Sequence, residues 1–169
     1  MRPITETMVR MGELAITADP AEVLVSIGLG SCIGLALLDA HSRVAGLAHI
    51  MLPAATAGAG ATAKFADTAV PLLVERLERA GALRSRLEAV LVGGAQMFAG
   101  GGGTTLDVGA RNEEATRAAL AACRVPVRAE ATGGSTGRTI RVWAEPALVT
   151  VKAAGEAERE LWTPLWRAA

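Results

Sequence analysis

The chain predicts an α+β fold in a single domain, and three observations in the sequence lead there. Roughly eight short strand-like runs stand against two helical patterns, so strands outnumber the crossovers that a doubly wound sheet needs. Hydrophobic residues fill 51% of the 169 positions, yet only two Phe and three Trp are among them, so the core must be packed from Ala, Val and Leu. The length suits one domain, residues 1–169, with a substantial buried core. We find no internal repeat.

Residues 1–20 form a lead-in whose segment Gly12-Glu13-Leu14-Ala15-Ile16-Thr17 suits an edge strand. Residues 23–27 read as a strand that ends in the turn Gly28-Leu29-Gly30-Ser31. Two apolar runs then read as a hairpin, Cys32-Ile33-Gly34-Leu35-Ala36-Leu37-Leu38-Asp39 and Gly46-Leu47-Ala48-His49-Ile50-Met51-Leu52-Pro53. A turn at Ala40-His41, closed by Asp39 and Ser42, sets Cys32 opposite His49. Directly opposed residues have Cβ atoms about 4.5–5.5 Å apart. A bulge at Gly34 or Gly46 would change that register.

Residues 54–63 are Ala, Gly and Thr with one composition for two roles, a loop closing over a site or a surface connector. A helix follows from Asp67, with Asp67 or Thr68 as N-cap and Pro71 in the first turn. Val70, Leu73, Val74 and Leu77 form its apolar face, and Gly81 stops it. Residues 88–92 read as a buried strand entering Gly93-Gly94. The glycine-rich residues 99–103 lack a following Gly-Lys-Ser/Thr, so a phosphate-binding reading is poor. Residues 113–123 read as a second helix capped by Asn112, with Glu113 and Glu114 complementing the dipole. Three last strands are expected over residues 125–131, 139–144 and 147–151, the first two joined by Gly133-Gly134-Ser135-Thr136-Gly137.

The chain has equal numbers of basic and acidic residues, 17 each, which argues against nucleic acid as a partner. Two cysteines about ninety residues apart make neither a disulfide framework nor a Cys-x-x-Cys metal site, and no metal is expected. Cys123 reads as a buried small residue near a helix end. No secretory signal and no membrane-spanning run is visible, so a cytoplasmic protein with free thiols is expected, without membrane insertion.

A thiol becomes a nucleophile when a base takes its proton. His49 is the histidine in a structured strand, whereas His41 falls in the turn. Ser26 is the best local partner to orient the ring, and the N–H groups of Gly30, Ser31 and Cys32 lie where they could stabilise an oxyanion. Composition and spacing alone leave two readings open, a Cys/His catalytic pair or a buried cysteine beside a satisfied core histidine.

Five ordered blocks resemble the chemoreceptor glutamine deamidase family, CheD. The first is Gly28-Leu29-Gly30-Ser31-Cys32-Ile33-Gly34 with Gly46-Leu47-Ala48-His49-Ile50-Met51-Leu52-Pro53, and the second is Lys64-Phe65-Ala66-Asp67-Thr68-Ala69-Val70-Pro71-Leu72-Leu73. Gly93-Gly94-Ala95-Gln96-Met97-Phe98, Gly109-Ala110-Arg111-Asn112 and Gly133-Gly134-Ser135-Thr136-Gly137-Arg138 complete the set. The resemblance spans about residues 10–152. It implies a compact three-layer α/β/β sandwich and a Cys-His-Thr triad, carried here by Cys32, His49 and Ser26, with Ser in place of the more usual Thr. Gln96 stands where Asn is common.

The implied activity is hydrolysis of glutamine side-chain amides to glutamate in methyl-accepting chemotaxis receptors, without a cofactor. Lys64, Phe65, Asp67, Gly133, Gly134 and Arg138 are the implied substrate-loop residues. A CheC-type phosphatase is an implied second partner. The competing readings are a cysteine peptidase or acyl transferase using the same pair, and a binding module with or without activity. Residues 153–169 lie outside the resemblance, and their Leu161-Trp162-Thr163-Pro164-Leu165-Trp166 segment is expected to dock on the domain's own surface, the alternative being a peptide for another protein.

Overall fold

In the computed structural model, residues 2–97 and 107–167 are described. Phe98 and the glycine-rich loop expected at residues 99–103 lie outside them. The chain runs β1 (Thr5–Met8), β2 (Leu14–Thr17), β3 (Glu22–Leu29), β4 (Ile33–Asp39), β5 (Val44–Ile50), α1 (Ala66–Arg79), β6 (Glu88–Gly93) and α2 (Val108–Ala122). It ends with β7 (Val127–Thr132), β8 (Arg138–Trp143), β9 (Leu148–Ala153) and β10 (Arg159–Trp162). The first and last strands are additions to the eight expected.

Two five-stranded sheets form, in the orders β1-β3-β8-β9-β10 and β2-β5-β4-β6-β7. The second sheet lies in the middle. Ile33, Leu35, Leu37, Ala48, Ile50 and Leu91 pack with Val70, Leu73, Leu77 and Leu120 of the helices. From the opposite face, Ala36, Leu38, Ala45, Leu47, Val90 and Val92 pack with Leu24, Ile140, Val142 and Val149 of the outer sheet. The layers are therefore helices, inner sheet, outer sheet, which is the α/β/β order that the resemblance implies. Burial on both faces explains why β4 and β5 read as continuous apolar runs and not as alternating ones.

The hairpin register differs from the expected one by two residues. Gly34, not Cys32, stands opposite His49, and Asp39 pairs with Val44. The connection is longer than a two-residue turn because Asp39, fully buried, gathers the N–H groups of His41, Ser42 and Leu83 and the Arg86 guanidinium. A slip of two preserves the face of every side chain, whereas a slip of one would invert it. Cys32, just before β4, accordingly packs among the residues between the two sheets. His49 is on the same face of the inner sheet as Gly34.

Both helices begin earlier than expected. Phe65 is the N-cap of α1, without a side-chain cap, and Asp67 instead accepts from the Ala55 N–H across the intervening loop. Pro71 falls inside the helix, past its first turn. In α2 the cap is Asp107, whose Oδ1 accepts from Ala110 N at 2.9 Å, and Asn112 is a buried residue within the helix. Cys123 caps the helix C-terminus and is half-buried rather than buried. Trp162 is buried in β10, while Trp166 remains 60% exposed with its ring centroid 6.2 Å from that of His41. No helix among the described residues is long and apolar enough to cross a membrane.

Candidate active site

The site forms where three backbone segments meet at one end of the interface between the sheets: the crossover from β1 to β2, the turn from β3 to β4, and the end of β5. Val9 leaves β1 with its N–H bonded to the Val25 carbonyl, 2.7 Å away. Its own carbonyl points inward and receives two donors, Ser26 Oγ at 2.7 Å and His49 Nδ1 at 3.1 Å. A carbonyl only accepts, so Nδ1 carries the proton and the neutral ring keeps its lone pair on Nε2.

Ser26 is fully buried and His49 is 5% exposed. Ser26 bonds to the same carbonyl as the ring, not to the ring. Burial drives the His49 pKa below its ordinary value, opposed by the Val9 hydrogen bond and the charge of Glu13. The ring therefore stays neutral further into the acid range than a solvated histidine. His49 lines a groove of about 300 Å³ with Met8, Val9, Arg10, Met11 and Ile27. Met11 and Ile27 are exposed at its rim.

Cys32 lies in the turn between β3 and β4, and its carbonyl is held by the Gly94 N–H at 2.9 Å. Burial pushes the Cys32 thiol up from its ordinary value. Among the described residues no hydrogen bond joins Cys32 to His49, so at neutral pH the site holds a thiol and a neutral imidazole, not an ion pair. Alkylation of Cys32 by iodoacetamide, followed by peptide mapping to separate it from Cys123, is expected to rise with pH along a curve shifted to higher pH than that of free cysteine. A curve at or below the free amino acid's would contradict this electrostatic description.

The carbonyls of Gly30, Ser31 and Cys32 are all held from behind. Ala95 N donates to Gly30 at 2.8 Å, Asn112 Nδ2 donates to Ser31 at 2.9 Å, and Gly94 N serves Cys32. Among the described residues no acceptor is bonded to the N–H groups of Gly30, Ser31 and Cys32. Gly93 explains how Gly94 approaches so closely. Its φ is +112°, and a Cβ there would stand 2.2 Å from the Cys32 carbonyl oxygen.

The remaining expected site residues flank this core in two groups. The Lys64 carbonyl receives the N–H groups of Met51 and Leu52, just beyond His49, and Phe65 forms a bridge with Leu52. Asp67 is engaged with the Ala55 N–H. On the other side Gly133 N bonds to the Gly93 carbonyl, and the Gly134 carbonyl takes Gln96 N. Arg138 spends its guanidinium on the carbonyls of Gly133 and Gly93. These residues brace the loops around Cys32 and His49. Sequence reasoning missed Val9, whose contribution is a backbone carbonyl, and misplaced Asn112 as a cap. Among the described residues no cluster of three or more His, Cys, Asp or Glu could hold a metal ion.

Comparison with known proteins defines the class. A family model described as CheD chemotactic sensory transduction matches residues 51–153. A probable chemoreceptor glutamine deamidase CheD of Symbiobacterium thermophilum is 46% identical over 157 residues, covering 90% of this chain and 95% of that one. The chemoreceptor glutamine deamidase CheD of Halalkalibacterium halodurans is 40% identical over 157 residues, covering 90% and 96%. This chain belongs to the CheD family. Among solved structures, a hypothetical protein YfiH of Bacillus licheniformis is similar with a TM-score of 0.35 and 20% identity, over 47% of this chain and 26% of that one.

Proposed function

We propose that this protein is a glutamine deamidase acting in the cytoplasm on the helices of methyl-accepting chemotaxis receptors, with Cys32 as nucleophile and His49 as base. The observation that carries the reading is the pinned tautomer of His49. Val9 holds Nδ1 so that Nε2 keeps its lone pair, and His49 lines a groove and lies on the same side of the inner sheet as Cys32. Relatives named chemoreceptor glutamine deamidases, matched over most of the chain, supply the amide and the receptor.

The reaction runs in two halves. His49 Nε2 takes the Cys32 proton as the sulfur attacks the glutamine carboxamide carbon, and the carbonyl π pair moves onto oxygen. The N–H groups around Cys32 receive that oxyanion. The C–N bond then breaks, the nitrogen leaves as ammonia with the proton from Nε2, and a γ-glutamyl thioester remains. In the second half Nε2 takes a proton from water, the hydroxide oxygen bonds to the thioester carbon, and the Cys32 sulfur leaves to recover the proton. Glutamate is released. The hydrogen bond between Sγ and Nε2 is made when the amide enters, since catalytic hydrogen bonds commonly form or tighten only on binding. The methionine-rimmed groove suits a helix that presents its glutamine among apolar neighbours, because Met adapts its shape to a partner.

Incubation with a receptor cytoplasmic fragment, followed by peptide mapping, tests the reading. Conversion of specific glutamines to glutamate is expected; an unmodified fragment would sink it. Ser26 acts on the ring through the shared Val9 carbonyl. Ser26→Ala removes one hydrogen bond of about 0.5–1.5 kcal/mol from that carbonyl, so kcat is expected to fall by no more than about tenfold at unchanged KM. Ser26→Thr is expected to preserve the rate. Equal rates for Ser26→Ala and the parent would remove Ser26 from the mechanism.

A further inference from the structure

We propose that Asn112 is a positioning residue for the oxyanion site: by holding the Ser31 carbonyl it sets the direction of the Cys32 N–H, and by holding the Met51 carbonyl it ties that peptide to the end of the His49 strand. The inference rests on the reading of Cys32 as nucleophile. Asn112 is fully buried, and its Nδ2 donates to Ser31 O and to Met51 O, each at 2.9 Å. Both amide protons are thus spent on the two segments that carry Cys32 and His49, which are remote in sequence from Asn112 and meet at its side chain.

Peptide planarity converts this contact into a statement about the reacting site. A trans peptide holds its C=O and the following N–H on opposite sides. The donor on the Ser31 carbonyl therefore fixes where the Cys32 N–H points, and the donor on Gly30 does the same for the Ser31 N–H. Ala95 and Gly94 supply backbone donors for Gly30 and Cys32. Asn112 is the side chain among the three donors, and it acts on the nucleophile's own amide.

The helix is seated to deliver it. A Cβ at Gly109 would come within 2.5 Å of the carbonyl oxygens of Gly94 and Ala95, so the first turn of α2 rests directly on the backbone that holds the loop. Asn112 follows three residues later on the same helix face. Asn112 Oδ1 is buried without a protein donor among the described residues, so the contacts this side chain makes there are the two on Ser31 and Met51.

The test compares the parent protein, Asn112→Ala and Asn112→Asp for kcat and KM on a receptor fragment, with rates normalised to the Cys32 that iodoacetamide can label. Removing the effect of one oxyanion donor lowers kcat by about a hundredfold or more. The expected result for Asn112→Ala is that loss with KM unchanged and with the alkylation rate of Cys32 unchanged, because displacement at a saturated carbon forms no oxyanion. Asn112→Asp offers no donor when ionised and one when protonated, so its kcat is expected to recover as pH falls while that of Asn112→Ala does not. Variants with the parent kcat per labelled site would overturn the proposal alone. A parent protein that converts no glutamine would overturn the deamidase reading, and the proposal with it. Should neither variant fold, NMR of the parent protein decides: the Asn112 side-chain amide protons are expected to exchange slowly and to show through-space contacts with Ser31 and Met51, and rapid exchange without those contacts overturns the clamp.

Discussion

Gly93→Ala is expected to lower the unfolding temperature by roughly 5–20 °C and to abolish glutamine deamidation. Two independent costs fall on one methyl group. The backbone there has φ +112°, a conformation that L residues rarely adopt, and the new Cβ would stand 2.2 Å from the Cys32 carbonyl oxygen. Strain at such a position is about 1–3 kcal/mol and overpacking adds about as much again. The obstructing atom belongs to backbone, so no side chain can swing aside. The loop that moves is the one bearing Cys32, and the bond from Gly94 N to the Cys32 carbonyl breaks with it. Thermal unfolding and the receptor-fragment assay check both halves. An unfolding temperature equal to the parent's would contradict the packing described.

His49→Gln is expected to leave a folded protein whose kcat is about 10²–10⁴-fold lower, the ordinary contribution of a positioned general base. Glutamine can still donate to the Val9 carbonyl, so the hydrogen bond that fixes the side chain need not be lost. What it lacks is a nitrogen that takes a proton and returns it. In the parent, the lowered His49 pKa keeps that nitrogen free as pH falls, so activity on the acid side should persist below the pH at which an exposed histidine protonates. The His49→Gln profile should lack this acid limb and rise with pH as the Cys32 thiol ionises unaided. Parent-like kcat in the variant would exclude His49 as the base.

The α+β class and the hairpin were legible because they depend on side-chain pattern, whereas the three-layer order was implied by the family resemblance alone. Continuous apolar runs in β4 and β5 report burial on both faces, and Val70, Leu73, Val74 and Leu77 report the buried stripe of α1. Register was less legible. The buried carboxylate of Asp39 organises the turn from Leu83 and Arg86, which lie more than forty residues away and send no local signal. The error was an even number of residues, so Cys32 and His49 stayed on one face.

Helix starts were misplaced for a related reason. Gly109 weakens the local helical signal, which made Asn112 look like the first capping residue. A contact with Gly94 and Ala95, invisible in sequence, is what requires glycine there. Ser26 was identifiable as a hydroxyl near the ring, but its bond to the carbonyl of Val9 was not, because a backbone acceptor carries no residue signature. Strands β1 and β10 were missed for want of alternation: Thr5–Met8 and Arg159–Trp162 are short and sit at the edges of the outer sheet.

The most direct test of the Cys32 thioester route is deamidation of a receptor cytoplasmic fragment in water labelled with heavy oxygen, comparing the parent protein with Cys32→Ala. Hydrolysis through the thioester places one labelled oxygen in each new glutamate formed by the parent. Cys32→Ala should remain folded and form no labelled glutamate beyond the enzyme-free background. Labelled glutamate appearing at the parent's rate with Cys32→Ala would contradict the account.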